Sequence, residues 1–165
     1  MSSSLTNGES TLQKPSQPRQ VNNVKKILKR SADENSYTFE TPLLKASYYG
    51  HINVVKELLE RDAVDVNVCD KDKCSPLFWA IHEGHELVVT ELLQHSAIVN
   101  NRNDNGVTPL WMASQQGNAY IVKQLLQHSA DVNICDNDGQ LPLHFARKNG
   151  HSDVELLLLG KQGNQ

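Results

Sequence analysis

Long apolar runs are missing from this sequence. Only 38% of its 165 residues are hydrophobic, and no stretch approaches the roughly 18 to 20 consecutive apolar residues that span a bilayer. Met1-Ser2-Ser3-Ser4 opens a polar segment rather than the apolar core of a signal peptide. Cysteine is scarce: Cys69, Cys74 and Cys135 are too few, and odd in number, for a disulfide framework, and no Asn-x-Ser/Thr acceptor occurs. These absences point to a reducing setting, the cytoplasm or the nucleus, with no membrane partner. Cationic charge is also short outside the N-terminal region. Six Lys and Arg against three Asp and Glu give residues 1–35 a charge of +3, so residues 36–165 carry -6 within the formal net of -3. An acidic body disfavours broad contact with phosphate backbone, which needs Lys and Arg to release counterions. No nucleic-acid partner is expected.

What the sequence has is a period. The segment x-Pro-Leu occurs as Thr41-Pro42-Leu43, Ser75-Pro76-Leu77, Thr108-Pro109-Leu110 and Leu141-Pro142-Leu143, at intervals of 34, 33 and 33 residues. Gly50, Gly84, Gly117 and Gly150 each fall nine residues after the start of that motif, and Val66-Asn67, Val99-Asn100 and Val132-Asn133 close the first three units. The first 20 residues, rich in Ser, Gln, Thr and Pro, show neither a helical nor a strand period and are expected to be a disordered tail.

Each unit predicts two helices. Thr108 can cap a helix with its hydroxyl, and Pro109 at the first helical position gives up no bonded donor. Gly117 suits the left-handed conformation that stops the helix. In Ile121-Val122-Lys123-Gln124-Leu125-Leu126 the apolar residues form one stripe of a second helix, repeated in Val54-Val55-Lys56-Glu57-Leu58-Leu59 and Val88-Val89-Thr90-Glu91-Leu92-Leu93. Asn105-Gly106 and Asp138-Gly139 tolerate positive φ and predict tight hairpin-like turns between units. One such unit buries too little apolar surface to offset its ordering entropy, so neighbours must share faces. The expected fold is all-α, a solenoid of stacked helix-turn-helix units.

These residues resemble the ankyrin repeat family. Asp136-Asn137-Asp138-Gly139-Gln140-Leu141-Pro142-Leu143-His144 carries the family's opening, Gly50-His51, Gly84-His85 and Gly150-His151 its middle, and Ala130-Asp131-Val132-Asn133 its close. The resemblance implies four repeats over 36–160, divided as 36–69, 70–102, 103–135 and 136–160, with a flexible C-terminus at 161–165. Val24-Lys25-Lys26-Ile27-Leu28 aligns with Val122-Lys123-Gln124-Leu125-Leu126, implying a partial capping repeat at 21–35. Ser31, Asp62, Ser96 and Ser129 stand where the family has a helix-ending glycine, which predicts backbone strain. Leu44, Phe78 and Trp111 replace the motif histidine, leaving His144 to keep its hydrogen-bonding role. Leu141 removes the threonine cap of the last repeat, and Leu156-Leu157-Leu158-Leu159 predicts an end without a polar face.

Catalytic and metal chemistry compete poorly with this architecture. Cys69-x4-Cys74 followed by His82-x2-His85 has a loose zinc-ligand spacing. However, Cys69 and Cys135 share one repeat position and His51, His85 and His151 another. No Gly-x-Ser-x-Gly elbow or phosphate-cradling loop occurs. Glu57 with Glu60, and Asp70 with Asp72, read as solvated charge on a helix face and in a turn. The basic cluster Lys25-Lys26-Ile27-Leu28-Lys29-Arg30 reads as a solvated helix face, and Trp79 and Trp111 as packing residues beside Leu77, Ala80, Leu110 and Ala113. No enzyme activity, cofactor, metal or small-molecule substrate is expected.

A stack of similar units makes a continuous concave face that serves recognition. The resemblance places partner contacts at the turn tips, Tyr37, Thr38, Glu40, Lys71, Asp72, Asp104, Asn105, Asn137 and Asp138. On the first helices it places them at Tyr48, Tyr49, His82, Glu83, Gln115, Gln116, Lys148 and Asn149. Tyr48-Tyr49 offers the largest amphipathic area and is the expected hot spot. Acidic tips at Asp72, Asp104 and Asp138 suggest a partner with basic character. The expected function is a non-enzymatic protein-protein interaction module binding a protein or peptide. The alternative is an adaptor or regulatory subunit that recruits a substrate to a separate enzyme. The resemblance also implies Asn67, Asn100 and Asn133 as candidate hydroxylation acceptors, each with a leucine eight residues earlier.

Overall fold

The computed structural model describes residues 41–60 and 64–162. The expectations for the tail at 1–20, the capping repeat at 21–35, the tip residues Tyr37, Thr38 and Glu40, Ser31, Asp62 and residues 163–165 fall outside them. Among the described residues there are eight helices and no strand. They are α1 (Pro42–Tyr48), α2 (Ile52–Leu59), α3 (Pro76–His82), α4 (Glu86–Gln94), α5 (Pro109–Gln116), α6 (Ala119–Gln127), α7 (Pro142–Lys148) and α8 (Ser152–Gln162). None is long and apolar enough to cross a membrane.

The helices form by the predicted chemistry. Thr41, Ser75 and Thr108 accept from the backbone N–H of Leu44, Phe78 and Trp111 at 3.4, 3.2 and 3.1 Å, and a proline follows each cap. Leu141 supplies no side-chain cap. The glycines that follow the first helices have φ between +69° and +76°, a conformation that strains any residue with a Cβ. At Gly50 the space is also taken: a Cβ would overlap the ring of His85, whose Nε2 lies 2.9 Å from the Tyr48 carbonyl oxygen. His151 sits over Gly117 in the same way, 3.0 Å from the Gln115 carbonyl oxygen. The glycine and histidine thus clasp the second unit to the first and the fourth to the third, whereas the third unit has Asn118 at the histidine's place and Gly84 has no such neighbour.

Each first helix packs on its own second helix and on the first helix of the next unit, and the second helices form a parallel row of contacts. Leu43, Leu77 and Leu110 are buried in the first three described units, and Ala46, Ala80, Ala113 and Ala146 keep the paired helices close. The valine pairs Val54-Val55 and Val88-Val89, and Ile121-Val122, are buried with Leu58, Leu92 and Leu125 one turn later. This is the stacked helix-turn-helix solenoid that the period predicts.

The turns between units are built on one residue each. Asp70, Asn103 and Asp136 use Oδ1 to accept from the backbone two and four residues ahead, at Asp72 and Cys74, Asn105 and Val107, and Asp138 and Gln140. Gly106 and Gly139 sit at φ +75° as expected, while Lys73, at the same place in its turn, adopts φ +61° with a side chain. Ser96 and Ser129 are likewise at +63° and +65°, the strain expected where glycine is replaced.

Three expectations are corrected. The terminal unit does have a polar face: Val107, Trp111, Ser114 and Val122, buried in the third unit, are matched in the fourth by Gln140, His144, Arg147 and Glu155. Arg147 Nε donates to Glu155 Oε1 at 2.7 Å. The leucine run misleads because consecutive helix residues point to different sides: Leu158 is fully buried while Leu156 is 69% exposed. The boundary at 160 falls short, because α8 passes through Gly160 and includes Lys161 and Gln162. A mid-helix glycine costs only about 1 kcal/mol. Among the hydrogen bonds of the described residues, none uses the His144 side chain, which is exposed and lies edge-on to Phe145. The expected backbone bond of that histidine is absent there.

Candidate protein-binding face

The second helices and the neighbouring units cover most of each first helix. What remains open is the side carrying the fifth, eighth and ninth residues of the segment that begins with the cap. The fifth residues are Lys45, Trp79, Met112 and Phe145, all half-buried. The eighth are Tyr48, His82, Gln115 and Lys148, and the ninth Tyr49, Glu83, Gln116 and Asn149. Stacking at a constant period brings each set into a row across α1, α3, α5 and α7.

The turn tips form a further row. Asp104 N–H donates to the Asp72 carbonyl at 3.1 Å, and Asn137 N–H to the Asn105 carbonyl at 3.0 Å. Lys71, Asp72, Asp104, Asn105, Asn137 and Asp138 are all exposed on it. Its charge is less acidic than the sequence alone suggests. Lys73 Nζ lies 2.8 Å from Asp104 Oδ1, and that carboxylate holds the lysine pKa above its usual value.

Tyr48 and Tyr49 differ in role. Tyr48 is half-buried and meets Trp79 edge to face, with centroids 5.4 Å apart, whereas Tyr49 is 44% exposed and stacks on His51. His82 and Glu83 are exposed and joined at 2.7 Å, and the His82 ring meets Trp79 at 5.4 Å. The amides of the ninth row also hold neighbouring units together. Gln116 Nε2 donates to the His82 carbonyl at 2.7 Å, and Asn149 Nδ2 to that of Gln115 at 2.9 Å. Lys148 Nζ lies 5.8 Å over the Phe145 ring.

Sequence reasoning missed the row of Trp79, Met112 and Phe145. All three pack against a buried cluster of Cys74, Phe78, Val107 and Trp111 while keeping part of their surface open. Their shared repeat position was the available signal. The two tryptophans separate here: Trp111 is 7% exposed, a core residue as expected, whereas Trp79 stands at the boundary of the open face.

The zinc-like spacing dissolves in three dimensions. Cys74 lies in that apolar cluster, the His85 ring serves the Tyr48 carbonyl, and His82 faces Glu83. Burial pushes the Cys74 thiol up to about 12 and raises that of Cys69, opposing the thiolate a metal needs. Among the described residues no three His, Cys, Asp or Glu side chains converge. Asp70 is a structural group, binding its own turn with Oδ1 and the Trp79 indole N–H with Oδ2 at 2.8 Å. The side-chain oxygens of Asn67 and Asn100 accept from Ile98 and Asp131 in the following unit, at 2.8 and 3.0 Å.

The sequence matches the family described as "Ankyrin repeats (3 copies)" over residues 16–104 and 88–165. No curated protein matches it. Repeats of this family are generally protein-protein interaction modules, and their match spans nearly all of the chain over which the helix pairs stack. The chain is a member of the ankyrin-repeat family.

Proposed function

We propose that this chain is a non-enzymatic protein-binding module whose contact surface is the open face of the first-helix layer, the side expected to be concave, together with the adjoining turn tips. The observation that carries this reading is the row of Trp79, Met112 and Phe145. Three large apolar side chains stand in register, half-open to solvent, on a scaffold whose first helices are tied to one another. Apolar and aromatic residues held rigidly beside polar ones are what protein interfaces use at their centres. Tyr49, His82, Gln115 and Lys148 supply the polar margin on one side and the tips Lys71, Asp72, Asn105, Asn137 and Asp138 on the other. Tyr48 extends the aromatic surface toward α1 through its contact with Trp79.

The test is a paired capture experiment using the full chain, a Met112→Asp variant and a Leu87→Ser variant. Leu87 is 70% exposed on α4, in the second-helix layer. Loss of a bound protein from the Met112 variant alone, with its helical circular dichroism unchanged, supports the reading. Equal retention by both variants counts against it.

A further inference from the structure

The chemistry of the open face narrows what occupies it. Adjacent packed helices lie roughly 8–10 Å apart, so Trp79 on α3, Met112 on α5 and Phe145 on α7 offer apolar contacts about every 10 Å. Residues seven apart on one face of an α-helix are separated by about 10.5 Å, a near match to that spacing. An extended peptide in the polyproline II conformation could match it too, with every third residue on one side at about 9 Å. The polar groups along the face discriminate between the two. An extended chain arrives with unpaired backbone N–H and C=O groups that its host must satisfy. Three of the face's amides are committed, Gln116 Nε2 to the His82 carbonyl, Asn149 Nδ2 to the Gln115 carbonyl and Asn137 Nδ2 to the Asp104 carbonyl, which leaves the side chains of Gln115 and Asn105, too few to pair a whole extended backbone. A helix pairs its own backbone and needs only a side-chain match.

Charge adds a second constraint. The row that holds the three apolar residues begins at Lys45 on α1, and Lys148 lies over the ring at its other end. Neither lysine has an ion pair among the described residues. We infer that the occupant is one amphipathic α-helix of a partner protein, lying across α3, α5 and α7. It carries apolar side chains about seven residues apart and a carboxylate beyond each end of that apolar row. The exposed tips Asp72 and Asp138 run along one flank and favour basic residues on that side of the helix. This inference rests on the protein-binding reading of the same face.

Three synthetic peptides labelled with fluorescein test it by anisotropy against the full chain. The first is an Ala/Gln-based helix with leucines about seven residues apart and glutamates at both ends. The second carries the same residues with the leucines scattered around the helix. The third places the leucines at every third residue and is interrupted by prolines that prevent helix formation. The first should bind, and the other two should bind at least about tenfold more weakly, a difference of about 1.4 kcal/mol. Met112→Ala should weaken the first peptide by a similar factor. The double variant K45E/K148E should weaken it too and regain binding when the peptide ends are changed to lysine; Trp79, Met112 and Phe145 themselves are unchanged in this variant.

Equal binding of the scattered peptide, absence of binding by all three, or failure of the charge swap overturns the inference. Preferential binding of the proline-interrupted peptide overturns it while leaving the protein-binding face intact. Binding that no face variant alters sinks both readings. Sedimentation showing a dimer that Met112→Ala dissolves assigns the face to a second copy of this chain, and also overturns it.

Discussion

The indole N–H of Trp111 donates to Asp136 Oδ2 at 3.1 Å, across the boundary between the third and fourth units. The other oxygen of that carboxylate holds the turn of the fourth unit. Trp111 stands at the place of the family's motif histidine, so here an indole anchors the next turn from within the core. Asp136 is only 8% exposed and depends on such donors for solvation. Asp70 uses its own Trp79 for the same purpose.

Replacing Trp111 by phenylalanine should keep most of the packing against Phe145 and strand Asp136 Oδ2. A loss of about 1–3 kcal/mol is expected, read as a lower urea midpoint. Trp79→Phe should cost less because Asp70 is more accessible. Equal losses would contradict this ordering.

Ser47 and Ser114 occupy one repeat position and are both fully buried. Ser114 Oγ donates to the Leu110 carbonyl at 2.7 Å, while Ser47 Oγ has no hydrogen-bond partner among the described residues. Alanine at 47 should therefore be more favourable than alanine at 114 by about 1 kcal/mol. Thermal unfolding of the two variants measures that difference.

Ser96 and Ser129 sit at positive φ without the freedom of glycine. Glycine at either position should raise stability by several tenths to about 1 kcal/mol, because relief of the left-handed strain exceeds the added unfolded-chain entropy. A fall in the melting temperature for both variants would refute this.

The Cys74 thiol stays protonated in the folded chain up to about 12, against 9.0 for the unperturbed group, with burial as the first cause and the Asp70 charge as the second. Between those values the unfolded chain releases the proton and the folded chain keeps it, so stability should fall as pH rises from about 9 toward 12. Below 9 this group contributes no pH dependence. Urea unfolding at pH 8 and pH 10 should show a steeper loss for the natural chain than for Cys74→Val. The same slope in both would assign the loss to other groups.

The repeat architecture was legible because its signals are local. A cap and proline start each first helix, a glycine stops it, and an apolar stripe marks each second helix; a constant interval then carries Gly50 and its counterparts, and the turns at Asn105 and Asp138, to equivalent places. The candidate site was less legible. Tyr48 and Tyr49 look alike in the chain, yet one leans on Trp79 and the other meets solvent. Trp79 and Trp111 look alike too, yet their positions differ by one residue, about 100° around a helix. That rotation turns one toward the next unit and leaves the other at the open face.

By itself the sequence determined the period, the helix ends and the family, since these depend on residues within one unit. Only the tertiary structure decided which side of each helix the neighbouring unit covers. It thereby decided that Trp79, Met112 and Phe145 line up half-open, that Gln116 and Asn149 are spent on clasps, and that Arg147 and Glu155 face the end of the stack. Burial belongs to pairs of units, and no single unit encodes what its neighbour will leave exposed.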